Sequence, residues 1–123
     1  MIGTLNSLVA LVESDPQTDL DIARFARTHG TTEYHLRRMF SALAGMPLSE
    51  YVRRRRMTLA GAELAAGASS VLEVAVRHGY GSAEAFGRAF RAVHGIGPVD
   101  ARRDGGPLRT QSTLRFRLSV EGS

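Results

Sequence analysis

A short helix, a glycine turn and a capped longer helix occur twice in this chain, and the two copies are in register. ARTHGTTEYHLRRMFSALAG (26–45) aligns with AVRHGYGSAEAFGRAFRAVHG (75–95). Through the short helix the offset is 49, pairing Ala26 with Ala75, His29 with His78 and Gly30 with Gly79. One extra turn residue raises it to 50, pairing Arg38 with Arg88, Phe40 with Phe90, Ala42 with Ala92 and Gly45 with Gly95. A single pair of helices around a glycine is common. Two in register, each with the same terminator, point to a repeated helix-turn-helix plan.

The segments around the repeat also read as helices. Ile2, Leu5, Leu8, Val9 and Val12 recur at helical spacing, and Ser14-Asp15-Pro16 ends that run. Asp19 or Asp21 caps a short helix with Ile22, Phe25 and Ala26 on one face. Thr31 or Thr32 caps the next, whose apolar residues are Leu36, Met39, Phe40 and Leu43; Gly45, Met46 and Pro47 stop it. A long helix runs from about Pro47 to Ala66, then a short one from Val71 to His78. Ser82 caps another, in which Phe86, Phe90 and Val93 repeat, and a last turn spans Val99 to Arg103. The expected fold is all-α, with about seven helices. Residues 1–46 and 67–104 form two helix-turn-helix subdomains, 47–66 the linker helix, and 105–123 a linker and tail.

Composition narrows the chemistry. The chain lacks cysteine, which removes disulfides, thiolate zinc sites and thiol catalysis together. No apolar run approaches the roughly 18 residues of a membrane span, and no basic start precedes an apolar stretch at the N-terminus. A cytoplasmic setting fits. All 16 basic residues are arginine. Residues 1–22 carry four acids and no base, whereas the remainder sets 16 arginines against 8 acids. That asymmetry favours an anionic partner. The histidines His29, His35, His78 and His94 lack metal-ligand spacing, and no nucleophile lies beside a base. No enzyme, metal or cofactor is expected.

In a helix-turn-helix the second helix enters the major groove, and two such readers on one duplex face sit about 34 Å apart. A linker helix of about 20 residues is roughly 30 Å long. One chain with this plan reaches two adjacent grooves of double-stranded DNA.

The sequence resembles the DNA-binding region of the AraC/XylS family of bacterial transcription regulators over about residues 3–103. The residues that carry the resemblance are EYHLRRMF followed by G-x-P-L-x-x-Y, the linker YVRRRRMTLAGAEL, and VLEVAVRHGYGSAEAFGRAFRAVHGIGP. It implies seven helices in two helix-turn-helix subdomains and a regulator that recruits or blocks RNA polymerase. It also implies base reading from the positions of Tyr34, Arg37 and Arg38.

On the first reader, Tyr34, Arg37, Arg38 and Ser41 form one polar stripe. Arginine bonds guanine O6 and N7 together, and tyrosine packs on a thymine methyl or bonds a phosphate. The second reader presents Ala83, Glu84, Gly87, Arg88 and Arg91. Glu84 accepts from a cytosine amino group, and Arg88 is the remaining base-reading candidate. Ala83 and Gly87 offer no side-chain hydrogen bond. Recognition is therefore expected to be lopsided, with the first half reading and the second mainly anchoring. Thr32, Ser41, Ser82 and Arg91 are assigned to the DNA backbone, the capped helix starts near Thr32 and Ser82 favouring phosphate.

The run Arg53–Arg56 points in four directions, at about 100° per residue. Only Arg53 and Arg56 share a face, Arg54 falls four residues after Glu50, and at least one arginine should find an acid on a neighbour. In the tail, Leu114, Phe116, Leu118 and Val120 alternate with Arg115, Arg117 and Ser119, the pattern of a half-buried strand. A lone strand needs a partner. It resembles the first strand of a GyrI-like effector-binding domain, which follows the DNA-binding region in some family members, so an effector ligand is expected only if a further domain follows. A flexible tail and a strand pairing with another copy are the alternatives. The rival readings of the whole chain are a helical protein-interaction module and a non-specific nucleoid-type DNA binder.

Overall fold

The structure, a computed structural model, describes residues 1–14 and 19–119. Seven helices make up its regular structure: α1 (Ile2–Ser14), α2 (Ile22–Thr28), α3 (Glu33–Ala44), α4 (Leu48–Ala66), α5 (Val71–Arg77), α6 (Ala83–His94) and α7 (Pro98–Asp104). No strand occurs among the described residues. Asp15 and Pro16, expected to end α1, lie outside those residues.

Local chemistry explains the helix boundaries. Asp21, rather than Asp19, caps α2 by accepting from Arg24 N at 3.0 Å. Thr32, rather than Thr31, caps α3 by accepting from His35 N at 3.1 Å. Ser82 does the same for α6 through Ala85 N, also at 3.1 Å. Ser70 and Glu73 form a reciprocal capping box at the start of α5. Gly45 and Gly95 both end their helices in the left-handed region, at φ 76° and 78°, where a Cβ is strained. The two turns match bond for bond. Gly30 N donates to Arg27 O as Gly79 N does to Val76 O, and Thr31 N to Ala26 O as Tyr80 N does to Ala75 O. The sequence repeat is a structural repeat.

Two hydrophobic clusters are threaded by one helix. The first gathers Leu5, Leu8, Val9 and Val12 of α1, Ile22 and Ala26 of α2, Leu36 and Phe40 of α3, and Leu48 and Tyr51 of α4. The second gathers Met57, Ala60 and Leu64 of α4 with Val74, Ala75, Phe86, Phe90 and Ala101. Helix α4 has 19 residues, about 28 Å at 1.5 Å each. Its N-terminal half serves one cluster and its C-terminal half the other, which is why its apolar residues surround its axis. Leu43 departs from expectation: it is 50% exposed, beyond the buried pair Leu36 and Phe40.

The tail departs further. Beyond Gly105, which caps α7 in the left-handed region, residues 106–119 form neither helix nor β ladder. Phe116 is buried in the first cluster and Leu108 packs against the second, while Leu118 is 81% exposed. The alternation holds for Leu114 and Phe116 only; Val120 lies outside the described residues. The tail packs on the helices themselves. Its amide groups bond to their side chains, which takes the place of a partner strand.

Candidate nucleic-acid interface

Each reader helix buries one face and exposes the other. On α3, Leu36 and Phe40 are fully buried, which turns Tyr34, Arg37, Arg38 and Ser41 outward. Tyr34 is 73% exposed, unusual for so large a ring. Arg38 is exposed; Arg37 and Ser41 are half-buried. On α6, Phe86 and Phe90 are buried and Glu84, Arg88 and Arg91 are exposed. Neither polar stripe is sealed in the interior. Thr32 and Ser82, proposed at the phosphates, sit at the two N-termini with their hydroxyls already turned to the helix amides.

One contact on α3 escaped the sequence reading. The Arg37 guanidinium is held by Glu33 Oε1 at 3.2 Å through both Nε and Nη2. Glu33 precedes Arg37 by four residues, the favourable helical order, so the signal was local. An exposed pair of this kind contributes about 0–1 kcal/mol, less than a bidentate base contact at roughly 1–3 kcal/mol. Arg37 can therefore be released from Glu33 at little cost. Glu33→Ala should raise DNA affinity several-fold by removing a competing anion from the reading face. Titration of the variant against its preferred duplex checks this.

The second reader has a groove where the first has side chains. Gly87, equivalent to Arg37, lies between Glu84, Arg88 and Arg91 in a cavity of about 440 Å³ that Val99 and Asp100 of α7 also line. A Cβ on Gly87 would meet no atom within 4 Å. Gly87→Ala should therefore stabilise the protein by about 0.5–1 kcal/mol, the helical cost of glycine, and raise the thermal midpoint. The Arg91 guanidinium lies over Gly97 at the start of α7, where an added Cβ would come within 3.0 Å of Nη2.

The four linker arginines divide by direction. Arg53 and Arg54 both pair with Glu50, at 2.7 and 2.9 Å, and hold its carboxyl below the usual range, Arg54 more strongly. Arg55 is nearly buried and grips Glu13 of α1, Nε to Oε1 at 2.6 Å and Nη2 to Oε2 at 2.9 Å. That contact raises the Arg55 pKa. Its Nη1 donates to the Gln111 carbonyl. Arg53 and Arg56 share a face, and that face lines a cleft of about 340 Å³ with Arg37 of α3 and Tyr80 from the turn before α6. Asp19 lies in the same cleft. Leu20, Ile22, Leu48 and Val52 line most of the rest, so the cleft is partly basic and partly apolar.

The histidines at the repeat turns are structural. His29 stacks on Phe25 at 4.0 Å and bonds its carbonyl at 2.9 Å. His78 is buried against Glu63 of α4 at 3.1 Å, and Arg77 holds the other Glu63 oxygen.

A family model described as a helix-turn-helix domain matches residues 25–104. The HTH-type transcriptional activator AarP of Providencia stuartii is 33% identical over 94 residues, covering 76% of this chain and 70% of AarP. The regulatory protein SoxS of Escherichia coli K12 is 31% identical over 98 residues, covering 80% of this chain and 92% of SoxS. Among solved structures, a transcriptional regulator with an AraC-type DNA-binding domain from Chromobacterium violaceum superposes with a TM-score of 0.75 at 24% identity. It covers 82% of this chain and 90% of that one. The repeated helix-turn-helix and its exposed reader faces are those of a DNA-binding transcription regulator, and the chain belongs to the AraC-type helix-turn-helix family.

Proposed function

We propose that one chain reads two adjacent major-groove segments of duplex DNA, α3 supplying most of the base reading and α6 most of the backbone grip. The observation that carries this reading is the cleft between them: Arg37 of the first reader, Arg53 and Arg56 of the linker and Tyr80 beside the second reader line one hollow, with Asp19 and the apolar Leu20, Ile22, Leu48 and Val52. Phosphates that cross between two successive major-groove segments fit it. Tyr34, Arg37 and Arg38 read bases on one side, with Glu84 and Arg88 reading at most one or two on the other. Thr32, Ser41, Ser82 and Arg91 hold the backbone. The difference between Arg37 and Gly87 at equivalent positions supports the lopsided division. Residues 1–46 and 67–104 act as the two reading units, with 47–66 as spacer and 105–123 as linker and tail.

The regulator acts in the cytoplasm by recruiting or blocking RNA polymerase; its similarity to AarP, a transcriptional activator, supports recruitment. A GyrI-like effector-binding domain, with its ligand, enters this account only in a longer chain. Packing of Leu108 and Phe116 on the DNA-binding helices favours reading the tail as part of this unit.

Selection of bound sequences from a random duplex pool tests the proposal. An asymmetric site, sharper under α3, is expected. A pool that emerges unselected, or affinity that does not fall steeply with salt, would contradict it.

A further inference from the structure

The extended tail runs along the linker helix and touches both halves of the protein. At one end, Leu108 Cδ1 lies 2.9 Å from where a Cβ on Gly61 would be, so the leucine tip packs closely over that glycine. Arg109 N donates to His94 Nδ1 at 3.0 Å, and the Arg109 guanidinium lies over Gly95 at the C-terminus of α6, where a cation is favoured. Further along, Gln111 N donates to Thr58 Oγ1 at 2.8 Å and Leu114 N to the Tyr51 hydroxyl at 3.1 Å. At the far end, Phe116 N donates to Asn6 Oδ1 at 2.8 Å, and the Phe116 carbonyl oxygen accepts from Asn6 Nδ2 at 2.9 Å. Its ring packs edge-on against Phe40, a core residue of the first reader helix. The tail is thus latched to the end of α6, to α4, and to α1 with α3 behind it.

The side of α4 that it occupies matters. Tyr51, Arg55, Thr58 and Gly61 fall on one face, whereas Arg53 and Arg56, at about 100° per residue, fall on the opposite one. The latch is therefore on the back of the linker, away from the cleft that Arg53 and Arg56 line. It also lies beyond the 25–104 region that the family model matches, as does its anchor Asn6.

We propose that residues 108–116 are a brace that fixes the angle between the two readers, making Asn6, Tyr51 and Thr58 positioning residues for two-segment DNA binding. This rests on the two-segment reading above. The linker helix already makes the second contact intramolecular; holding both readers pre-aligned raises its effective concentration, and a loosened pair loses that advantage without losing any contact to DNA.

The test uses the full chain carrying Asn6→Ala, Tyr51→Phe and Thr58→Val together, which removes three latches and no charge. Amide exchange at Gln111, Leu114 and Phe116 reports release. Affinity is measured for a duplex with both segments, for one with the α3 segment alone, and for one with a base pair inserted between segments. The brace predicts about a tenfold loss on the two-segment duplex, unchanged binding to the single segment, and a smaller penalty for the insertion. Phe116→Ser, which pulls the far end from the core, should act in the same direction. Released amides with unaltered two-segment affinity and an unaltered insertion penalty would overturn the proposal. So would equal losses on both duplexes, including any loss that follows lost helical ellipticity. If the unmodified chain itself fails to prefer two segments over one, the two-segment reading fails, and the brace with it.

Discussion

Arg37→Ala is expected to lower affinity for the preferred duplex by roughly 5- to 150-fold, the equivalent of one bidentate base contact of about 1–3 kcal/mol. It should also relax preference at one base pair and leave the others intact. Arg37 lies half-buried on the flank of α3 beside the buried Leu36 and Phe40, and its guanidinium bonds Glu33. That exposed pair is given up at small cost. Arg91→Ala should behave differently. Arg91 lies near the end of α6 over Gly97, away from the helix start that a reader presents to bases. Its loss should weaken all duplexes alike and reduce the salt slope by about one. Binding-site selection with each variant separates the two patterns, and equal relaxation by both would contradict the division of labour.

Arg55→Ala should lower folding stability by about 2–4 kcal/mol, toward the lower side of what breaking a buried ion pair costs because Glu13 keeps some water contact. The guanidinium ties three separate pieces, Glu13 of α1, its own helix α4 and the Gln111 carbonyl of the tail. Removing it leaves the carboxylate and the carbonyl without their shared donor. Against a total of roughly 5–15 kcal/mol, that loss is large. Arg55→Lys should recover little, because an ammonium cannot make the parallel pair of bonds. Arg54→Ala, at an exposed pair, should change stability by less than about 1 kcal/mol. Urea midpoints at constant slope measure all three. Indistinguishable values for Arg54→Ala and Arg55→Ala would show that the grip on Glu13 contributes nothing.

What was legible in the chain follows the range of the interactions involved. Caps and stops are local, so Thr32, Ser82, Gly45 and Gly95 could be read directly, and the repeat doubled their weight. The apolar faces of α3 and α6 were legible where heptad-like spacing coincides with burial, at Leu36, Phe40, Phe86 and Phe90. Spacing alone overreached at Leu43, which the helix carries past the edge of the core. Geometry of rotation showed that the four arginines point apart and that at least one should find an acid on a neighbour, but neither that it is Arg55 nor which acid it meets. Glu13 is 42 residues from Arg55, and no local pattern records that distance. The tail was misjudged for the same reason. Its alternation is real at Leu114 and Phe116, yet its amides bond to Tyr51 and Asn6 side chains, the latter 110 residues away. A strand ladder and a row of side-chain acceptors satisfy the same backbone groups, and sequence periodicity does not distinguish them. Glu33–Arg37 was local and could have been found from its i, i+4 spacing.

Hydroxyl-radical footprinting of the selected duplex, with the mass of the complex measured in parallel, bears most directly on the two-reader arrangement. One chain per duplex should protect two stretches on the same face, about 10–10.5 base pairs apart centre to centre. A single protected stretch, or a requirement for two chains to produce both, would contradict it.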